Sequence, residues 1–285
     1  MTIDEKYKHL QNYILEHGSA AVAFSGGVDS SFLCYAAFEA LAEKAIAITV
    51  VSPMLPKTEI DDAKKIASQI GIKHFLITEN KIDDLVASNP KDRCYYCKKI
   101  EFAQILAVAK KNNVSTVFDG SNTDDLNDYR PGLKALHELQ IVSPLREAEL
   151  TKSDIRELSR RFNLPTWDKP SFACLASRIP YGDKIDAEKL LRVEKAEDVL
   201  RHAGFKQFRV RSHGDIARIE VSPPERQLFF NDKILDDISR DIKAAGFLFV
   251  SMELEGYVMG ALNRTHLAGG ALPSKTRNDI PVGAL

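Results

Sequence analysis

Cysteine, tryptophan and charge of one sign are all scarce in this chain. Four cysteines and one tryptophan occur in 285 residues, and 39 basic against 40 acidic side chains leave a formal charge of −1. So few thiols exclude a disulfide-built scaffold as the source of stability. The charge balance removes any global electrostatic case for a nucleic-acid or membrane-surface protein. No apolar run approaches the roughly 18 residues of a membrane span. The opening Met1-Thr-Ile-Asp-Glu-Lys6 is too polar for a secretory signal, so a cytoplasmic protein with no membrane and no nucleic-acid partner is expected. The chain does have the material for a core. At 44% hydrophobic and 28% charged it can bury a sizeable interior, which excludes general disorder.

The first part alternates between helix-like and strand-like stretches. An amphipathic helix over about Asp4–Glu16 ends at Gly18, and the apolar strand Ala20–Phe24 follows. After the turn Ser25-Gly-Gly-Val-Asp-Ser, a helix runs to about Leu41, then a strand Ala45–Val51. The next helix has a capping-box start at Thr58 with Asp61 three residues on, and it closes near Gly71. Strands Lys73–Ile77 and Ser115–Asp119 continue the series. Short apolar strands separated by helices predict an α/β fold, a parallel sheet with helices on both faces. Ligands bind such sheets beyond the carboxyl ends of their strands.

Two prolines within Asn163–Ser171 disfavour a continuing helix, so a domain boundary is expected near Leu164. Residues 165–266 then read as a smaller α+β domain: a charged helix Ala187–His202, strands Phe205–Arg211 and Ile216–Val221, a helix Lys233–Ala244, and a strand Phe247–Leu254. Residues 267–285, rich in Gly, Ala and Pro, read as a flexible tail.

The most specific local signal is Ser25-Gly-Gly-Val-Asp-Ser-Ser31, directly after a strand and opening a helix. Gly26 and Gly27 permit conformations and close approaches that a side chain obstructs. The N–H groups of the following turn then face an anion, aided by the helix dipole. Ser25, Ser30 and Ser31 add hydroxyls, and Asp29 is suited to positioning Mg²⁺ beside a polyphosphate. An ordinary turn capped by Asp29 or a serine would look much the same if only the Gly-Gly pair were considered. The string lacks the Gly-Lys-Ser/Thr ending of a Walker loop, so γ-phosphate transfer is not suggested. It resembles instead the pyrophosphatase loop of N-type ATP pyrophosphatases, which implies cleavage of ATP between its α and β phosphates. A second polar segment, Asp119-Gly through Arg130-Pro-Gly132, also follows a strand end. Asn122, Asp124, Asp125 and Asp128 are candidates for ribose or metal, and Arg130 for a phosphate or carboxylate.

Cys34 sits in an apolar stretch and is expected to be buried. Cys94 and Cys97 form a C-x-x-C leading into a helix, and Cys174 lies far away in Ser171-Phe-Ala-Cys-Leu-Ala-Ser-Arg-Ile-Pro-Tyr-Gly182. Three readings fit the residues: a redox dithiol at a helix N-terminus, a structural zinc lacking an evident fourth ligand, and an iron–sulfur cluster with three cysteine ligands and one open iron.

Taken together, these motifs and Arg209-Val-Arg through Asp215-Ile-Ala-Arg-Ile-Glu220 resemble the LarE family. Its members are ATP-dependent sulfur transferases of nickel-pincer nucleotide biosynthesis, and the likeness runs over roughly Ser19–Gly260. The resemblance implies an adenine nucleotide alpha hydrolase-like PP-loop domain over residues 1–164 and a substrate and sulfur-transfer domain over 165–266. It implies that the carboxylates of pyridinium-3,5-biscarboxylic acid mononucleotide are adenylated and converted to thiocarboxylates. ATP and Mg²⁺ would be held by Ser25, Gly26, Gly27, Asp29, Ser30, Ser31, Ser52, Gly120, Asp125 and Arg130. Catalysis would involve Asp29, Ser177, Arg178, Glu197 and the cysteines. Some members sacrifice one cysteine as sulfur donor, whereas others carry a [4Fe-4S] cluster on three. Cys94, Cys97 and Cys174 match the cluster-bearing pattern, and these are the expected metal ligands.

Arg209 and Arg211, two apart on a predicted strand, project to one face. Their guanidinium groups suit the substrate phosphate that the resemblance implies, although from the residues alone surface ion pairing is the preferred reading. The chain departs from the family in having Gly256-Tyr-Val-Met-Gly260 where an arginine usually follows Gly-Tyr. A homo-oligomer is expected. The rival readings are a tRNA thiolase, an amidotransferase and an ATP-binding sensor. The first commonly has Lys at the position of Val28 and needs a basic surface, against a pI near 6.7. The amidotransferase would leave three cysteines without a task. The sensor would release no pyrophosphate.

Overall fold

The computed structural model describes residues 1–127, 131–170 and 173–258. Helix α1 (Ile3–Glu16) starts with a capping box in which the Thr2 hydroxyl accepts from the Glu5 N–H and Glu5 accepts from the Thr2 N–H. Four parallel strands follow: β1 (Ala20–Ala23), β2 (Ala45–Val51), β3 (Lys73–Thr78) and β4 (Val117–Phe118), in spatial order β3-β2-β1-β4. Helices α2 (Val28–Leu41) and α3 (Lys57–Ile70) connect the first three strands. Short α4 (Asp84–Ala87) and long α5 (Arg93–Lys111) lead from β3 to β4.

Because side chains alternate along a strand, the sheet feeds two cores. Ala20, Val22, Ala45 and Ala47 face Leu33, Ala36 and Ala37 of α2 and Ala63 and Ala67 of α3, and alanine on both sides lets these helices approach closely. Ala21, Ile46 and Ile48 face the other way, onto Phe102, Ile105 and Ala109 of α5. The chain runs outward from β1 through β2 to β3, then returns to the other side of β1 at β4. This reversal opens a crevice at the carboxyl ends of β1 and β4, where ligands of open α/β sheets bind.

Helices α6 (Gly132–Glu138), α7 (Pro144–Glu147) and α8 (Lys152–Arg161) follow, with Ile155 and Leu158 of α8 in the first core. The remainder comprises α9 (Ala187–His202), β5 (Phe208–His213), β6 (Ile216–Val221), α10 (Asp232–Ala244) and β7 (Phe249–Met252). Strands β5 and β6 are antiparallel, and β7 joins β6 in parallel. One face of this small mixed sheet (Phe208, Val210, Ala217, Ile219) packs on Val193, Ala196 and Leu200 of α9 and Ile238 and Ile242 of α10. The same core takes in Met54 and Val86 from the first half of the chain.

Several expected boundaries move. The capping box at Thr58 does not form, because the N-cap is Pro56, two residues earlier, with the Lys57 N–H donating to Glu194 at 2.8 Å. The strand expected over 115–119 contracts to Val117–Phe118; Asp119 turns away to accept from the Ser121 and Ser143 hydroxyls. β5 starts at Phe208 rather than Phe205 because Gly204 (φ +93°) and Phe205 terminate α9, the Phe205 N–H returning to the Leu200 carbonyl. The last strand is shorter than 247–254, and Phe247 is buried in the turn before it. Cys34 is buried, and the expected tail lies outside the described residues. Among the described residues no helix is long and apolar enough to cross a membrane.

Candidate functional site

The Ser25–Ser31 turn leaves β1 at the crevice. Gly26 has φ +73°, and a Cβ there would meet the Ala63 backbone and Cβ of α3 at 3.2–3.3 Å, so glycine is required on two counts. Gly27 is the N-cap of α2 and receives no side-chain cap, which leaves the first N–H groups of the helix available to an anion. The turn is braced from within. The Ser30 hydroxyl lies 3.1 Å from that of Ser25 and donates to the Gly27 carbonyl at 3.3 Å. Ser31 is fully buried and its hydroxyl has no partner. An orphaned hydroxyl beside uncapped N–H groups fits a phosphate cradle. Below the turn, Thr49 donates to the Phe24 carbonyl at 2.6 Å and lies 2.8 Å from Nε2 of His74. Burial, with the Lys64 charge nearby, holds His74 below the ordinary histidine value.

The loop after β4 forms the opposite wall. A Cβ on Gly120 would lie 3.2 Å from the Ser30 nitrogen, so glycine at 120 is what lets this loop close on the backbone at the start of α2. Asn122 is buried; its amide donates to Asp29 at 3.4 Å, and its own N–H donates to Asp125 at 3.0 Å. Asp29 also pairs with Lys152, the first residue of α8. Asp29 offers a hard oxygen of the kind that holds Mg²⁺ together with substrate phosphates, which needs no complete protein cage, while the Asn122 amide oxygen accepts from the Asp124 N–H at 2.9 Å. Lys169 reaches the loop as well. Its ammonium lies 3.3 Å from the Gly26 carbonyl, 3.0 Å from Glu59 and 2.9 Å from Asp62. Ser52, just past β2, accepts from the Met54 N–H at 3.3 Å.

Cys94 and Cys97 lie in the first turns of α5 and are partly buried, as is Cys174. Cys174 precedes a short 3-10 turn, Leu175–Arg178. Two sets of contacts dock this segment on the first half of the chain. The Leu175 N–H donates to the Met54 carbonyl at 2.9 Å, and the Asn89 amide donates to the carbonyls of Pro180 (2.6 Å) and Asp183 (3.0 Å). Arg93, also buried, joins Asn89 to the Ala176 carbonyl.

The docked turn brings Cys174 into the neighbourhood of Cys94 and Cys97. Burial, then the proximity of Cys174, raises the Cys94 thiol and pushes Cys97 up to about 12. A redox dithiol needs the opposite shift. Among the described residues no group of three His, Cys, Asp or Glu side chains is arranged to hold a metal ion. A cubane cluster binds each thiolate on a different iron, so its ligands need not close on one point. Arg93 and Lys98 supply positive charge beside the thiols, a donor set that fits an anionic cluster. Desolvation opposes the charge on Lys98, yet Glu101, Cys97 and Asp119 raise it above the ordinary lysine value.

Beyond Cys174 lies a buried ionic framework. Arg178 is fully buried and binds Glu197 through Nε (2.8 Å) and Nη2 (3.1 Å). Its Nη1 donates to the carbonyls of Ala173 and Cys174 and to the Ser177 hydroxyl at 2.7–3.0 Å. Glu197 also accepts from the Val210 N–H. Arg211 binds Glu220 in the same two-pronged way and donates to the Ser177 carbonyl at 2.7 Å. Arg209 is buried under the Tyr257 ring, 4.8 Å from its centroid. Burial, with Arg178 beside it, brings its guanidinium down to about 10.

Comparison with known proteins identifies the family. The NAD synthase family profile matches residues 2–112. A protein of Synechocystis described as uncharacterized is 42% identical over 92% of this chain and 98% of its own. The pyridinium-3,5-bisthiocarboxylic acid mononucleotide synthase of Lactiplantibacillus plantarum is 36% identical over 86% of this chain and 88% of its own. This chain belongs to the LarE-type family of ATP-dependent sulfurtransferases. A more distant likeness, 25% over 65% of each chain, links it to a component of the glutamine-hydrolyzing GMP synthase of Archaeoglobus fulgidus.

For a LarE-type enzyme, the expected residues fall into two groups. Ser25–Ser31, Gly120, Asn122 and Asp125 meet at the β1–β4 crevice, with Ser52 at the neighbouring strand end. The three cysteines, Ser177, Arg178, Glu197, Arg209 and Arg211 lie around the docked Cys174 turn. Arg130 and Asp128 lie outside the described residues. Lys152 and Lys169 escaped the sequence reading. Neither sits in a motif with a spacing of its own, although Lys169, five residues before Cys174, lies in a stretch distinguished only by its prolines.

Proposed function

We infer that the protein adenylates the carboxylates of pyridinium-3,5-biscarboxylic acid mononucleotide and converts them to thiocarboxylates. In this reading Cys94, Cys97 and Cys174 hold a [4Fe-4S] cluster, and ATP, Mg²⁺ and the mononucleotide meet along one edge of the sheet. The observation that carries it is the docking of the Cys174 turn on Met54 and on Arg93, the residue before Cys94, in a chain 36% identical to a synthase of the bisthiocarboxylic acid mononucleotide.

A substrate carboxylate oxygen bonds to the α-phosphorus of ATP while the α–β bridging bond breaks, and pyrophosphate leaves with the electron pair. The uncapped N–H groups of α2 and the serine hydroxyls of the turn face the charge that develops on it, and they are preorganised to do so. Asp29, with the Asn122 amide beside it, would hold Mg²⁺ on the phosphates. A sulfide-level nucleophile then attacks the acyl carbon, the bond to AMP breaks, and AMP leaves with that pair. When bound, the cluster supplies sulfide at the iron that no cysteine holds. Arg178 fixes the Cys174 carbonyl and Ser177, Arg211 is neutralised by Glu220, and Arg209 beside them is the guanidinium offered to the mononucleotide phosphate.

Anaerobic turnover with ATP, Mg²⁺, the mononucleotide and added sulfide tests the reading. The expected result is repeated pyrophosphate and AMP release with Cys174 unchanged by mass spectrometry, and loss of the cluster absorbance in Cys94→Ala. A single turnover with sulfur lost from Cys174 favours sacrifice of that cysteine. Absence of pyrophosphate and AMP refutes the enzyme assignment altogether.

A further inference from the structure

The Asp29 carboxylate is already neutralised by a cation of the protein's own. Its Oδ2 is paired with the Lys152 ammonium, and its Oδ1 lies 3.4 Å from the Asn122 amide. The side chains of Lys152 and Asp29 remain 29% and 24% exposed, so the pair is open to exchange with solvent ions. The backbone of Lys152, by contrast, is fixed. Its N–H donates to Asp124 at 2.8 Å, and the preceding Thr151 forms a capping box with Asp154 at the start of α8. An immobile root and a long aliphatic stem allow Nζ to move while its origin does not.

We propose that Lys152 is a stand-in cation: it neutralises Asp29 in the nucleotide-free protein, then yields that carboxylate to Mg²⁺ and carries its own charge onto the triphosphate. This deepens the ATP-dependent reading above and rests on it. An ammonium and Mg²⁺ compete for the same carboxylate, and two cations held on one carboxylate repel each other. The resident cation must therefore move when the metal arrives. The first turn of α2, which carries Asp29, is also where the phosphates sit, so the displaced ammonium finds new oxygens within reach of its old partner. Lysine suits the exchange better than arginine, since its charge is a compact point on a flexible stem with no planar fork to align. The arrangement also keeps the turn from trapping a divalent ion without nucleotide.

Removing the lysine should move two affinities in opposite directions, which a merely structural role would not do. In Lys152→Met, Mn²⁺ alone binds nucleotide-free protein about three- to tenfold more tightly, as read from the electron paramagnetic resonance of the free ion. Affinity for ATP with Mg²⁺, by calorimetry, falls about tenfold. Lys152→Arg tests the stem, and it should bind Mn²⁺ as weakly as wild type while recovering only part of the ATP affinity. Adding Asp29→Ala to Lys152→Met should erase the gain in Mn²⁺ binding, because the gain acts through that carboxylate. Unchanged affinities, or both weakening together, overturn the proposal. Wild-type protein that binds ATP but never turns over the mononucleotide refutes the substrate assignment alone; the opposed shifts still decide the role of Lys152.

Discussion

The glycine turn and the Cys174 turn meet different demands with the same residue types. Around Cys174 the charges are buried and matched: Arg178 and Glu197 are 0% and 2% exposed, and two prongs join them. Around the glycine turn Asp29 and Lys152 keep 24% and 29% of their side chains exposed and hold each other through a single contact, and one serine hydroxyl lacks a partner. Buried pairs fix geometry because separating them leaves an unsolvated charge. Half-exposed pairs exchange partners easily because water screens the loss. The first region reads as a scaffold that aims a turn, the second as a receptor that rearranges around an incoming polyanion.

Breaking the scaffold should have the largest effect on stability. Glu197→Ala strands Arg178 in the interior and is expected to destabilise the fold by about 3–5 kcal/mol in chemical denaturation. A loss below about 1 kcal/mol would mean that Arg178 finds water or another acceptor, and the contrast between the regions would fail. Asp29→Ala should do the reverse. Stability stays within about 1 kcal/mol of wild type, while pyrophosphate release falls by about 100-fold or more. Undiminished release would remove Asp29 from the chemistry.

The smallest effect concerns the floor of the glycine turn, where His74 is held neutral. A depressed folded value means that its contribution to stability is present above the ordinary value of 6.5 and fades as the pH falls below it. Melting temperature should decline on acidification from pH 6.5 to 5, and less steeply in His74→Gln. Parallel curves for the two proteins would exclude His74 as a contributor.

Regular segments were legible because their signals are local. β2 and α9 run over the expected Ala45–Val51 and Ala187–His202, set by an apolar run in one case and by Asp186 as N-cap with a periodic face in the other. The glycine turn was legible because backbone conformation dictates residue type at Gly26. Boundaries governed by distant partners were not. Pro56 and Glu194 determine where α3 begins, and the stop of α9 takes residues that looked like strand. Arg209 and Arg211 do share a strand face, yet their pattern gave no sign that both are buried, one bound to Glu220 and the other under Tyr257.

The chain's own order of residues determined the strand–turn–helix that receives phosphate, since glycine freedom, helix dipole and hydroxyl spacing all act within seven consecutive positions. It also supplied three thiols, but not their proximity. That was decided when Asn89, Arg93 and the Met54 carbonyl captured the Leu175–Asp183 segment, and when Lys152 and Lys169 reached back to the glycine turn. Such contacts join residues about 80 to 140 positions apart. No local pattern encodes them, because their strength comes from burial and charge that exist only once the core has closed.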